Sequence, residues 1–178
     1  PSGADVIAQF MGHLSYIDRN QNRFCNLLWP FTDINFYLLR TPNKVNTHLH
    51  LRTAPQFDPL PLKAIMQQAW QALHDKNSQH MVACINHYYQ ALLQQQLVDD
   101  SSAKLIAKLM QQPWIQAAKG CGALGADVLL VITAPQQEKQ LRHVAEQLNL
   151  SLIASNKELA SGITLKEVEH EKMASQRA

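Results

Sequence analysis

Two short stretches of this chain carry residues whose types and spacing suit chemistry. Pro1-Ser2-Gly3-Ala4-Asp5 places a carboxylate at the start of a helix, just after a serine–glycine turn. A carboxylate held there can accept or orient the proton of an attacking hydroxyl. The plainer alternative is a helix start with an acidic residue in its first turn, favoured by the helix dipole. The second stretch, Lys119-Gly120-Cys121-Gly122-Ala123-Leu124-Gly125-Ala126-Asp127, is rich in small residues. Small side chains let backbone approach a ligand closely, and its N–H groups can face anionic oxygens. Here the plainer alternative is a tight loop entering a buried strand.

Other candidates are weaker. Thr47 could offer its hydroxyl to an acid substrate, although a threonine facing the core with Val45 and Leu49 is ordinary in a strand. His48 and His50 share the opposite strand face and could pair on a metal, but no third ligand has suitable spacing, so no metal site is expected. His80 and His87 share a helix face and read as solvated. Cys121 could be a reactive thiol, yet no histidine is adjacent in sequence to activate it. Trp70 and Tyr88 fall on apolar helical stripes and read as core.

The elements that must position these residues follow from periodicity. Residues 4–11 predict a short helix with Ser2 as N-cap and Gly12 as its stop. Residues 13–17 and 24–29 predict short strands about a polar turn at 18–22, and residues 34–40 a third strand. Val45 to Leu51 alternates as a strand does. Pro55, Pro59 and Pro61 mark a loop before a helix through Leu62, Ile65, Met66, Ala69, Trp70 and Leu73. A second helix runs through Met81, Ile85, Tyr88, Leu92 and Leu93. A third, capped by Asp100 or Ser101, carries Leu105, Ile106, Leu109 and Met110 and stops before Pro113. Val128 to Thr133 is a continuous apolar, β-branched run that predicts a buried strand. An amphipathic helix over 138–148 and a strand over 151–154 follow. Strands at both ends with helices between them predict an α+β domain, its helices packed on one face of a mostly antiparallel sheet.

Composition bounds the function classes. The chain has 178 residues, 46% hydrophobic and 17% charged, which is enough for one ordinary globular core. A formal net charge of +2 gives no broad electrostatic reason to expect nucleic acid or an anionic membrane as partner. No apolar run approaches a membrane span. Cys25, Cys84 and Cys121 are odd in number and widely spaced, which suits a reducing, cytoplasmic setting better than a disulfide framework.

Pro1-Ser2-Gly3-Ala4-Asp5 resembles the Pro-Ser-Gly-x-Asp of mevalonate kinases, and Ser2-Gly3-Ala4-Asp5-Val6 is similar to phosphomevalonate kinases as well. The stretch from Lys119 looks like the third motif of the same GHMP superfamily, Lys-x-Thr-Gly-Ala-Gly-Gly-Gly-Gly. Lys119, Gly122, Ala123 and Gly125 match it, whereas Cys121, Leu124, Ala126 and Asp127 depart from it. Residues 39–47 resemble the mevalonate-kinase strand pair that ends near the substrate. The superfamily's main phosphate loop, of the Pro-x-x-x-Gly-Leu-Gly-Ser-Ser kind, is absent from this sequence.

The resemblance implies a ferredoxin-like C-terminal domain over residues 1–164, with residues 1–30 assignable to the N-terminal domain of a longer parent and a charged, frayed tail over 165–178. It implies Asp5 as catalytic base or positioner, with Ser2, Gly3 and Thr47 on the substrate side. Lys119, Gly122, Ala123 and Gly125 would support ATP, with Mg²⁺ travelling with the nucleotide. The expected partners are a small-molecule metabolite and the missing N-terminal half of the same protein, without which the chain would be inactive. An apolar face left bare by that missing half could also drive homodimerisation. Two other readings stand beside this one: a GHMP-fold binding or regulatory module that has lost catalysis, and an unrelated α+β interaction domain.

Overall fold

A computed structural model describes residues 3–19, 21–42, 57–122 and 127–163 of the chain. The described residues fall into two compact units, one within Pro1–Leu27 and Ala160–Ala178, the other spanning Leu28–Leu159. The strand expected over 45–51 and the tail over 165–178 lie outside the described residues.

In the first unit, helix α1 (Ala4–Met11) leads into a hairpin of β1 (Leu14–Asp18) and β2 (Arg23–Leu27). Gly12 ends α1 as expected, its N–H bonding back to the Ala8 carbonyl at 2.8 Å. At the other end the N-cap is Gly3, not Ser2. Gly3 has φ +71° and caps with backbone alone, a conformation that glycine adopts without the steric cost other residues meet. The Asn26 amide donates to the carbonyls of Met11 and Gly12, fastening the end of α1 to the hairpin. The segment after Ala160 closes on the same corner: His13 N–H donates to the Ala160 carbonyl at 2.8 Å, and Ile163 N–H to that of Phe10 at 3.0 Å.

The second unit holds the core. Strands β3 (Asn35–Arg40), β4 (Ile115–Cys121), β5 (Val128–Thr133) and β6 (Ser151–Ser155) form one antiparallel sheet in the order β4-β5-β3-β6. Register aligns Ala118, Val131 and Tyr37 in one cross-strand row, and Gly120, Leu129, Leu39 and Leu152 in a second row two residues along. Helices α2 (Leu60–His74), α3 (Ser78–Gln94), α4 (Asp100–Leu109) and α5 (Glu138–Gln147) complete the unit. Ile106 and Leu109 of α4 and Leu141 and Ala145 of α5 join Tyr37, Leu39, Leu129 and Val131 in one buried cluster, with Tyr89 of α3 packed against it. The apolar stripes of α4 and α5 are therefore spent on this sheet face. On the opposite face Trp29 meets Phe36 edge to face at 5.1 Å, and its indole N–H donates to the Ile34 carbonyl.

Two local results correct or extend the expectations. The N-cap of α4 is Asp99 rather than Asp100 or Ser101; its carboxylate accepts from the N–H groups of Ser101 and Ser102 at 3.0 and 3.2 Å. Asp99→Ala should lower stability by about 1 kcal/mol, up to ~2, read from urea unfolding. Strand β4 was not anticipated: Lys119, Gly120 and Cys121 belong to it and not to a loop.

Electrostatics near the end of β6 makes a pH prediction. Lys157, followed by Arg142, donates to the Glu138 carboxylate and holds it below its ordinary value of 4.5. Ser155 does the same to Glu158 through its hydroxyl and its backbone N–H. A depressed carboxyl contributes stability that is present above its unfolded-state pKa and lost as pH falls through the folded-state value. Unfolding midpoints should therefore drop on acidification below pH 4.5, and drop less in a Glu138→Gln, Glu158→Gln variant. The effect should be small, because the Lys157 and Arg142 ends of the bridges are 60% and 51% exposed.

Candidate functional site

Asp5 stands in the first unit. Gly3 turns the chain into α1, Ile7 N–H closes the first helical bond on the Gly3 carbonyl at 3.1 Å, and Asp5 occupies the second helical position, exposed. An acid in the first turn is favourably placed against the helix dipole. The β1–β2 turn brings Arg19 back to this end of the helix: a Cβ built on Gly3 would lie 3.8 Å from an Arg19 guanidinium nitrogen. Linear reading had placed Arg19 only in a turn. A carboxylate and an exposed guanidinium at one helix end can together address a polar, anionic small molecule. Ser2 and Thr47 lie outside the described residues.

The second set lies at the tip of the β4–β5 hairpin, whose last ladder pair is Cys121 and Val128. Gly122 leaves β4 with φ +75°, and a Cβ built on it would meet nothing within 4 Å. Its backbone therefore faces open space, as close approach of a ligand requires. Across the sheet, Thr41 N–H donates to the Asp127 carbonyl at 3.0 Å and anchors the base of the hairpin to the end of β3. Ala123 and Gly125 lie outside the described residues.

Lys119 shares a row with Leu130, Leu38 and Ala154, on the sheet face opposite the main core. Its ammonium donates to the Gly120 carbonyl at 2.7 Å and lies 5.4 Å from the centre of the Tyr88 ring. Tyr88, read as core, is only half-buried and carries this cation–π contact. Burial pushes the Cys121 thiol up, against a smaller opposing pull from Lys119, so the hairpin environment disfavours the thiolate that a nucleophile needs. Among the described residues no group of three or more His, Cys, Asp and Glu could hold a metal ion; His48 and His50 lie outside them. No helix among the described residues is long and apolar enough to cross a membrane.

Solved structures of small-molecule kinases have this arrangement of helices and antiparallel strands. Streptococcus pneumoniae phosphomevalonate kinase, solved with phosphomevalonate and AMPPNP, aligns with 75% of this chain at 15% identity and a TM-score of 0.62. L. major mevalonate kinase, solved with R-mevalonate, aligns with 85% at 17% identity and 0.63, and Lactococcus lactis galactokinase, solved with galactose, with 83% at 12% and 0.62. The chain thus has the α+β fold shared by GHMP-type kinases. It spans about half the length of these structures or less: 42%, 52% and 51% of the three chains respectively. No family model and no curated protein matches the sequence.

Proposed function

We propose that this chain is the C-terminal part of a cytoplasmic, ATP-dependent small-molecule kinase that phosphorylates a hydroxyl, or a phosphate, of mevalonate or a related metabolite. The observation that carries the reading is the start of α1. Gly3, with φ +71°, launches a helix whose first turn presents an exposed Asp5, in a chain with the fold of GHMP-type kinases. Asp5 accepts or orients the acceptor hydroxyl's proton. Ser2, Gly3 and Thr47 flank the substrate.

Bound ATP supplies the phosphoryl group, and Mg²⁺ travels with it to offset its charge. The hairpin fits a supporting part in holding the nucleotide: Gly122 keeps open space before its backbone, and Lys119, Ala123 and Gly125 belong to the same stretch. The rest of the phosphate site comes from an N-terminal half outside this sequence. Catalysis then rests on positioning and electrostatics, with no covalent intermediate on the protein.

A second reading has its own support. The Lys119 ammonium is already engaged by the Gly120 carbonyl and the Tyr88 ring, which suits a GHMP-fold binding or regulatory module whose nucleotide loop has degenerated. ATP consumption by the polypeptide extended upstream of Pro1, assayed with mevalonate, phosphomevalonate and simple sugars, separates the two. Acceptor-dependent consumption supports the kinase. Silence with every acceptor, together with no ATP binding, leaves the binding module.

A further inference from the structure

Helix α3 meets strand β4 through Asn86 and Tyr88. The Asn86 amide donates to the Gln116 carbonyl at 3.0 Å, where the β4–β5 register shifts between Ile115 and Ala117. Two residues along the helix, the Tyr88 ring faces the Lys119 ammonium, 5.4 Å from its centre. That ammonium donates to the Gly120 carbonyl at 2.7 Å. A peptide unit is planar, so a hold on the Gly120 carbonyl also fixes the direction of the Cys121 N–H. Cys121 is the last ladder residue of β4. Gly122 follows directly, with φ +75° and nothing within 4 Å of a Cβ built on it. The other limb of the hairpin is held as well, since the Asp127 carbonyl accepts from the Thr41 N–H at 3.0 Å. Lys119 is half-buried, and its charge reaches the Cys121 thiol. Swinging out to a ligand would strip its ammonium of a charge-assisted hydrogen bond and a π face together.

We propose that Lys119 is a positioning residue. With the Tyr88 ring as its seat, it sets the Gly120–Cys121 peptide so that the Gly122 backbone meets the nucleotide's phosphate oxygens, and it does not touch them itself. This rests on the kinase reading above and moves the lysine from contact to support. It also gives Tyr88, which lies on another element, a part in nucleotide affinity. A direct phosphate contact by Lys119 would give Tyr88 none, and that difference is measurable.

ATP dissociation constants of the polypeptide extended upstream of Pro1 test the inference. Lys119→Met and Tyr88→Leu should each weaken ATP binding roughly tenfold, and the double variant no further, because both remove one support. Tyr88→Phe keeps the ring face and should bind ATP like the unmodified polypeptide. Asn86→Ala, which loosens the same helix from the same strand at its other end, should do so too. Loss in Lys119→Met with full affinity in Tyr88→Leu overturns the proposal, because the lysine then touches the nucleotide. Equal loss in Asn86→Ala, or no loss in either variant, also overturns it. Absence of ATP binding by the unmodified polypeptide sinks the kinase reading, and hydrogen exchange of the Cys121 and Gly122 amides in this chain then decides the positioning. Faster exchange in Lys119→Met and Tyr88→Leu, but not in Asn86→Ala, upholds it; equal exchange in all overturns it.

Discussion

Asp5→Asn, made in the upstream-extended polypeptide, should lower kcat by about 10²–10⁴-fold while leaving ATP affinity nearly unchanged. Asparagine keeps the size of the side chain and removes only its capacity to take a proton. It also keeps α1 in place, because the helix is capped by Gly3 backbone and not by the Asp5 side chain. Loss of the carboxylate from the first helical turn costs roughly 0.3–1 kcal/mol, a small shift in unfolding midpoint. The two accounts of Asp5 therefore separate on one pair of measurements. A catalytic carboxylate gives a collapsed kcat with a nearly unchanged midpoint. A carboxylate that only complements the helix dipole gives a small midpoint shift with turnover intact.

Gly12→Ala should destabilise the first unit by about 3 kcal/mol or more. Gly12 has φ +69° and ψ −170°, a region open essentially to glycine and costing other residues roughly 1–3 kcal/mol. The added Cβ would also overlap the backbone of Ser161 and Gly162, and a Cβ on Gly162 would in turn overlap that of Phe10 and Met11. Overpacking of this kind adds about 1–3 kcal/mol, and backbone cannot rotate out of the way as a side chain can. Limited proteolysis should show cleavage at the α1–β1 corner in Gly12→Ala. The β3–β6 sheet should stay protected, because its core shares no buried residue with this corner. Unchanged resistance would mean that the close approach of these two segments is not needed.

Elements with strong periodicity were legible in the sequence. Val128 to Thr133 is a strand end to end because a short apolar run rich in β-branched residues is buried on both faces, with Leu129, Val131 and Ile132 fully enclosed. Glycine at the end of α1 was legible for the same kind of reason, a conformation that few other residues adopt. Strand β4 was not: Ala117, Ala118 and Gly120 are small as well as buried, and small residues look like loop in a sequence. The cap of α4 was ambiguous because Asp99, Asp100, Ser101 and Ser102 are all good caps; only three-dimensional reach selects Asp99. At the candidate site the glycines at 3 and 122 take positive φ, which the motif reading had not specified. The engagement of Lys119 by Tyr88, and the nearness of Arg19 to Gly3, arise from tertiary proximity and leave no trace in local spacing.

The most direct test of the central claim is acceptor-dependent ATP consumption by the upstream-extended polypeptide, with and without Asp5→Asn. The kinase account predicts consumption that requires mevalonate, phosphomevalonate or a simple sugar and that falls at least 10²-fold in the variant. Absence of consumption with every acceptor, accompanied by no detectable ATP binding, would contradict it and leave a kinase-like fold put to another use.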